Sequence, residues 1–509
     1  MTNSNNKRIA KNSLFLYLRM FLSMAITIYT SRIILKSLGV EDYGIYNIVG
    51  GIITMFSSIY ASLSTAISRF ITFALGENDQ DKLKKIFVTA INIQILFSLI
   101  ALILAESIGM WFMHAYMNIP IGKIGVAEWV LHFSVMITIV NLISIPYNAL
   151  IVAHEKMQFF AYISIFEVIM KLVIAYVVIY SPYDRLFTYV FLLFLLSFII
   201  RCIYGRYCSK IFPEIKYTTT LYINIFKEMS SFAGWNFFGN VSNLLSGQGI
   251  NILINIFFNV TFNAARGVAS QVESAINQFV NSFSTAFMPQ ITKSYASGDL
   301  NYMSMLIRVS TKFSRLLILF PIVPLIIETD MVLSIWLEVV PEQTAIFLKI
   351  ILLTSFITVV TSTLVSALFA IGQIKRYQLV LSVIHFLIFP VSWVFFYWGM
   401  PAWSCFCISF IFYSIANIWR LLELKRLLNF SIYLYFRDSF MKPMMVFLLA
   451  IVVSYGISMS MDLSMSRLYI NILVTFMVIM FTSYYAVLNV EERKVVSNAL
   501  SRIMSNIRK

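Results

Sequence analysis

Apolar runs of about twenty residues, each long enough to cross a bilayer's hydrocarbon as a helix, recur from one end of this chain to the other. Such runs leave little structural choice. In lipid every backbone amide must bond within its own segment, so each run reads as a spanning helix. About fourteen segments fit, with limits near 13–35, 45–67, 86–106, 129–150, 159–180, 186–204, 230–257, 265–289, 305–327, 344–370, 379–399, 402–422, 441–460 and 466–488. Hydrophobic residues make up 60% of the 509 and charged residues 12%, more apolar surface than a soluble chain of this size can cover. The expected fold class is therefore an all-α polytopic membrane protein with about 14 transmembrane helices.

The net charge of +15 does not point to nucleic acid, because the cations form no single patch. Most of the 38 Lys and Arg lie in the two tails and in loops after even-numbered segments, among them Lys84, Lys85, Arg206, Lys210, Lys375 and Lys425. Loops after odd-numbered segments hold only a few, such as Lys36, Lys123 and Arg185. This asymmetry is the orientation signal of helical membrane proteins and places both termini in the cytosol. The acidic stretch between Glu328 and Glu342 then faces outward. The basic start (Lys7, Arg8, Lys11) precedes an apolar stretch with no small-residue cleavage site, which predicts a retained first helix. The four cysteines show no zinc or redox spacing and the four histidines are scattered, so neither a metal site nor a cofactor is expected.

An internal repeat organises these segments. "STAISRFITFALGEND" (64–79) aligns without gaps to "STAFMPQITKSYASGD" (284–299), and "YNALIVAHEKMQ" (147–158) resembles "VSALFAIGQIKR" (365–376) in nearly the same register. Six segments separate the copies, so both halves have the same orientation in the membrane. This predicts an N-terminal lobe over 1–204, a cytosolic linker over 205–229, a C-terminal lobe over 230–422, and a basic linker with two further helices and a tail over 423–509. Two six-helix lobes with a binding site between them are the architecture of alternating access.

Two segments carry polar faces. Arg266, Ser270, Glu273, Asn277, Asn281 and Ser284 recur every three or four residues and fall within about 80° of one another on a helix. Asn236, Asn240, Asn243, Gly247 and Asn251 repeat the pattern in the preceding segment. Such faces must meet each other or a wet cavity, since polar groups facing lipid are costly. Any single amide also reads as interhelical glue. As a set, Asn236, Asn240, Asn243, Asn251, Asn277 and Asn281 offer the paired donors and acceptors that suit sugar hydroxyls. Cations within or at the ends of segments include Arg19, Arg69, Lys171, Arg266, Lys312 and Arg315. Snorkelling to an interface accounts equally well for those near segment ends. Lys171 is too deep for that, and Glu167 one turn earlier is its expected partner. Several cations with few anions suit a phosphate or diphosphate. The acids Glu273 and Glu167, being within spans, are candidates for ion coupling.

Certain stretches resemble a known family. "FNAARGVASQVESAINQFVNSFSTAFMPQITKSYASGD" (262–299), "TSRIILKSLGVEDYGIYNIVGG" (30–51) and "SIPYNALIVAHEKM" (144–157) are similar to Wzx-type bacterial polysaccharide flippases. These belong to the multidrug/oligosaccharidyl-lipid/polysaccharide (MOP) exporter superfamily, together with MATE drug exporters and lipid II flippases. The resemblance spans essentially the whole chain. It implies a MATE-like fold, residence in the bacterial inner membrane, and transfer of an undecaprenyl-diphosphate-linked oligosaccharide to the outer leaflet for O-antigen, capsule or other surface polysaccharide. It further implies cavity cations for the diphosphate, with Arg19, Arg69 and Arg266 on the helices concerned, and an ion gradient, proton or sodium, as the drive; Lys171, as a cation deep within a segment, is the fourth candidate for the diphosphate. Membrane lipids, a polysaccharide polymerase and chain-length machinery are the partners it implies, and no enzyme chemistry is required. The rivals are another MOP exporter, either a drug/cation antiporter or a lipid II flippase, and an integral-membrane polymerase or glycosyltransferase. A drug exporter should have an acidic cavity, and an enzyme should carry paired acids or a large outer loop.

Overall fold

The computed structural model describes residues 18–27, 57–116, 121–212, 222–258, 260–337 and 340–490, with isolated positions elsewhere. Among the described residues every regular element is helical. In chain order the principal helices are α1 (Ser57–Glu77), α2 (Gln80–Leu104), α3 (Ile124–Ala153), α4 (Met157–Ile179), α5 (Arg185–Ile211), α6 (Ile223–Phe257), α7 (Val260–Thr285) and α8 (Met288–Ala296). They continue as α9 (Leu300–Ile327), α10 (Thr344–Thr358), α11 (Thr361–Ile371), α12 (Ile374–Tyr397), α13 (Ser404–Leu428), α14 (Lys442–Ser460) and α15 (Met465–Thr482).

Ten helices among the described residues are long and apolar enough to cross a membrane. They coincide with the third to sixth and the ninth to fourteenth expected segments. The seventh and eighth segments are present as α6 and α7, whose carboxamides and charges keep them outside that set. The first segment is described in part, with Leu18–Thr27 an apolar helix, and the start of the second lies largely outside the described residues. The chain is a multi-pass, all-α membrane protein.

Local chemistry sets the breaks. Asp79 caps α2 by accepting the Lys82 amide N–H, and Asp184 does the same for Phe187 at the start of α5. The repeat is visible in how α1 and α8 end. Asn78 and Gly298 occupy equivalent positions and both adopt left-handed backbone, φ 57° and 78°. After them the Asp79 N–H bonds to Ala74 O and the Asp299 N–H to Ser294 O, closing the same helix-ending turn twice.

Two compact units arise. The first comprises Met1–Val241, Thr285–Asp299 and Phe369–Leu379. Its centre is α3, packed against α1, α2, α4 and α5, while α8 lies against α1. At one edge Lys123 bridges Asp42 at 2.9 Å and Asp184 at 3.1 Å, tying three connections together. Hydrogen bonding to Asp42, then Asp184, outweighs burial and raises the Lys123 ammonium above its ordinary value. Partial burial pushes the Asp184 carboxyl up, but the Phe187 amide and Lys123 prevail and hold it below the usual range.

The second unit comprises Ser242–Ser284, Leu300–Leu368 and Val380–Lys509. Here α10 packs on α13, and α9 packs on α14 and α15. Lys312 and Arg315, for which snorkelling was one expectation, are buried in α9. Lys312 pairs with Glu492 at 2.6 Å, and Arg315 donates to the Ser439 carbonyl and to Tyr435 Oη. Glu328 is likewise buried, accepting from Arg467 at 2.6 Å and from Asn471 at 2.8 Å on α15. Between helices in lipid, hydrogen bonds and close packing do the holding that apolar burial does in water.

Candidate functional site

In the second unit the two polar faces read from the sequence touch. Arg266 on α7 donates from Nη2 to the Gly247 carbonyl on α6 at 2.8 Å. Its Nη1 is buried and has no hydrogen-bond partner among the described residues. Glu273 bonds Asn277 on the same helix and lies within electrostatic range of Arg266. Tyr413 of α13 joins this group, bonding Ser246 and lying within range of Arg266, Glu273 and Arg420. Asn243 and Asn281 are exposed and Asn251 is half-buried. A guanidinium with Nη2 tethered and Nη1 unspent suits an anion, while neighbouring amide and phenol groups suit hydroxyls.

The first unit holds a second group. Lys171 and Glu167 on α4 form the ion pair expected from their spacing, 2.6 Å long, with side chains 45% and 38% exposed. Tyr204 on α5 lies within electrostatic range of Glu167, Tyr60 and Arg19. The Arg19 guanidinium sits 5.0 Å from the Phe160 ring centroid, and its buried Nε has no hydrogen-bond partner among the described residues.

Other expected site residues are engaged in packing. Arg69 donates from Nε to Phe369 O at 2.8 Å and from Nη2 to Ala370 O at 3.3 Å, at the C-terminal end of α11. Asn240 donates to Ser62 Oγ at 3.0 Å, and Asn236 accepts from Gln378 at 3.3 Å. These two amides serve as the interhelical glue that was their rival reading. The structure thus gathers Arg19, Glu167 and Lys171 with two tyrosines, and Arg266, Glu273 and Asn277 with another.

Sequence reasoning passed over Tyr60, Tyr204, Tyr413, His385 and Arg420. A signal existed for part of this set: Tyr413, Asn417 and Arg420 recur at the same three-and-four spacing as the stripes. Arg420 donates to Asn417 at 3.0 Å. His385 is 4% exposed, stands edge-on to Tyr413, and has no hydrogen-bond partner on either ring nitrogen among the described residues.

Solved structures of similar architecture are MATE transporters. A crystal structure of MATE aligns with a TM-score of 0.71 at 10% identity, covering 83% of this chain and 97% of that one. A Vibrio cholerae MATE transporter aligns at 0.70 with 16% identity, covering 86% and 99%. A multidrug resistance MATE family transporter of the MOP superfamily, in an outward-facing conformation, aligns at 0.69 with 12% identity, covering 82% and 96%. At such identities the likeness defines the class of fold, which is MATE-like. Residues 9–295, more than half of the chain, match the polysaccharide biosynthesis protein family. The chain belongs to that family, in agreement with its resemblance to Wzx-type members of the MOP superfamily. Curated proteins give no match in sequence. Family and fold together support an exporter or flippase.

Proposed function

We propose that the protein is a lipid-linked oligosaccharide flippase of the bacterial inner membrane. It moves undecaprenyl-diphosphate-linked repeat units from the cytosolic to the outer leaflet, supplying O-antigen, capsule or another surface polysaccharide. It does so by alternating access of the 1–204 and 230–422 lobes, with both termini cytosolic and no bond-making chemistry. The observation that carries this reading is Arg266: a cation on α7 of a polysaccharide-biosynthesis family member, with one guanidinium nitrogen buried and unspent. A diphosphate supplies the acceptor that this nitrogen lacks. Arg19 and Lys171 supply further cations, and Asn277, Asn281, Asn243 and Asn251 a hydroxyl-binding track. Arg69, Asn236 and Asn240 enter the same set only by giving up their present partners.

Coupling falls to Glu273 or Glu167, taking up a proton or sodium ion as the lobes exchange. The outer-leaflet product passes to a polymerase and its chain-length machinery. The test is a deletion strain. Lipid-linked repeat units should accumulate on the cytosolic side and clear when the wild-type gene is restored, but not with an Arg266→Ala copy at equal expression. Normal surface polysaccharide in the deletion strain would refute the reading.

A further inference from the structure

Two stretches from the second half of the chain, Thr285–Asp299 and Phe369–Leu379, belong to the first compact unit. Besides the Gln378–Asn236 bond, two polar contacts hold them there, and the repeat relates one of these two to the other. In the first, Arg69 of α1 donates to the carbonyls of Phe369 and Ala370. These end α11, where the helix dipole concentrates negative charge. The loop beyond is shaped around the guanidinium: a Cβ on Gly372 would stand 2.3 Å from Arg69 Nη2, and its φ of +85° disfavours other residues. In the second contact, Gln290 and Lys293 of α8 donate to Glu155 Oε1 at 2.7 and 2.9 Å. Glu155 lies in the turn after α3, and its side chain is 1% exposed.

The end of α1 and α8 are the two copies of one repeat element, 64–79 and 284–299. The turn after α3 and the loop after α11 fall in the two copies of the other, 147–158 and 365–376. Each half of the chain therefore grips the other half's loop with its copy of the same helix end. Between the two grips the copies touch directly, with Phe73 and Tyr295 rings 6.2 Å apart and Gly76 against Ala296. Burial repeats as well: Ala66 with Ala286, Ile67 with Phe287, Phe70 with Gln290, Ile71 with Ile291, Thr72 with Thr292, and Ala74 with Ser294 are buried pairs. All four segments precede or form loops after even-numbered spans, the side that the charge rule assigns to the cytosol.

We propose that these paired contacts form a two-point latch that closes the cytosolic side and releases once in each transport cycle. Arg69 on the α11 carbonyls is one point, and Glu155 with Lys293 and Gln290 is the other. The latch rests on the flippase reading only for its place in a cycle; the contacts and their opening are properties of the chain itself. Because the points are related by the repeat, weakening either should shift the closed population, and weakening both should shift it further.

The test uses the full-length protein in lipid nanodiscs, with Cys202, Cys208, Cys405 and Cys407 replaced and spin labels on Asn78→Cys and Ser297→Cys. Unsubstituted at the latch, the pair should give one short, narrow distance distribution. Glu155→Gln, which keeps the side-chain shape, and Arg69→Met should each add a longer component, changing the closed-to-open ratio on the order of tenfold. The combination should enlarge that component. Exchanging the charges, Glu155→Lys with Lys293→Glu, should restore the short distribution, a result that mere misfolding cannot produce. Unchanged distributions in both single variants, or a charge exchange as open as Glu155→Gln, would overturn the latch. Polysaccharide export in the deletion strain is scored separately. Normal export with shifted distances refutes the flippase reading and leaves the latch standing, and the reverse pattern does the opposite.

Discussion

Gly76→Ala is the smallest change that should wedge α1 from α8. An ideal Cβ at Gly76 would lie 2.6 Å from Ala296 Cβ and 2.9 Å from both Cα and O of Lys293. Carbon atoms prefer about 3.5–4.0 Å, so the new methyl overlaps its neighbours by about an ångström. Two of the three clashing atoms are backbone, so no rotamer change relieves them. Overpacking of this kind costs about 1–3 kcal/mol, which is about a fivefold to 150-fold shift in an equilibrium. Ala296→Gly removes one of the three contacts, so the double variant should recover part of the loss but not all. The assay is thermal denaturation of the purified protein in detergent, followed by a dye that fluoresces on reaction with thiols. Cys208 and Cys405 are buried and become reactive only on unfolding, above a baseline from half-buried Cys202 and Cys407. Gly76→Ala should lower the midpoint, and Gly76→Ala with Ala296→Gly should fall between it and wild type. A midpoint equal to wild type in Gly76→Ala would refute the close approach of the two repeat copies.

Lys171→Met leaves Glu167 charged without its ion-pair partner within a span, at a cost of about 2.5–3.5 kcal/mol, and should abolish export. If Lys171 serves the diphosphate, Lys171→Met with Glu167→Gln stays inactive in a complementation assay; restored export would make the pair structural only. Glu328→Ala strands buried Arg467 and should destabilise by about 3–5 kcal/mol, whereas Glu328→Ala with Arg467→Ala should recover most of that in the thiol-dye assay. The Lys123 bridge should respond to pH at both extremes. The Asp184 contribution is present above the ordinary carboxylate range near pH 4 and is lost as pH falls through its lowered folded value. The Lys123 contribution is present below the ordinary ammonium value near 10.4 and is lost as pH rises through its raised folded value. Hydrogen exchange at 121–124 and 184–188, corrected for intrinsic rates, should be flat between about pH 5 and 9 and faster beyond either end.

How much the sequence disclosed depended on the range of the interaction. Span positions were legible because lipid imposes one length and one polarity on each, whatever the neighbours. The α6 and α7 polar faces were legible because three-and-four spacing is local geometry. What each polar group touches was not. Asn240 and Asn243 share a stripe, yet one bonds Ser62 and the other is exposed, a difference set by which helix lies opposite. Arg69 meets carbonyls 300 residues further along the chain, a pairing without local trace. Lys312 and Arg315 allowed a snorkelling reading because their partners, Glu492 and the Ser439 carbonyl, come from beyond the second lobe. The Tyr413, Asn417 and Arg420 stripe was within reach of the same spacing rule that exposed α7.

The Glu328–Arg467 pair also has a history in time. Its members are separated by 139 residues, so a ribosome adding 5–20 residues per second inserts Glu328 on the order of ten seconds before its cation exists. During that interval the nascent chain holds the Glu328 carboxylate without the guanidinium that pairs with it in the folded protein. A chain released between the two would carry Glu328 without that partner.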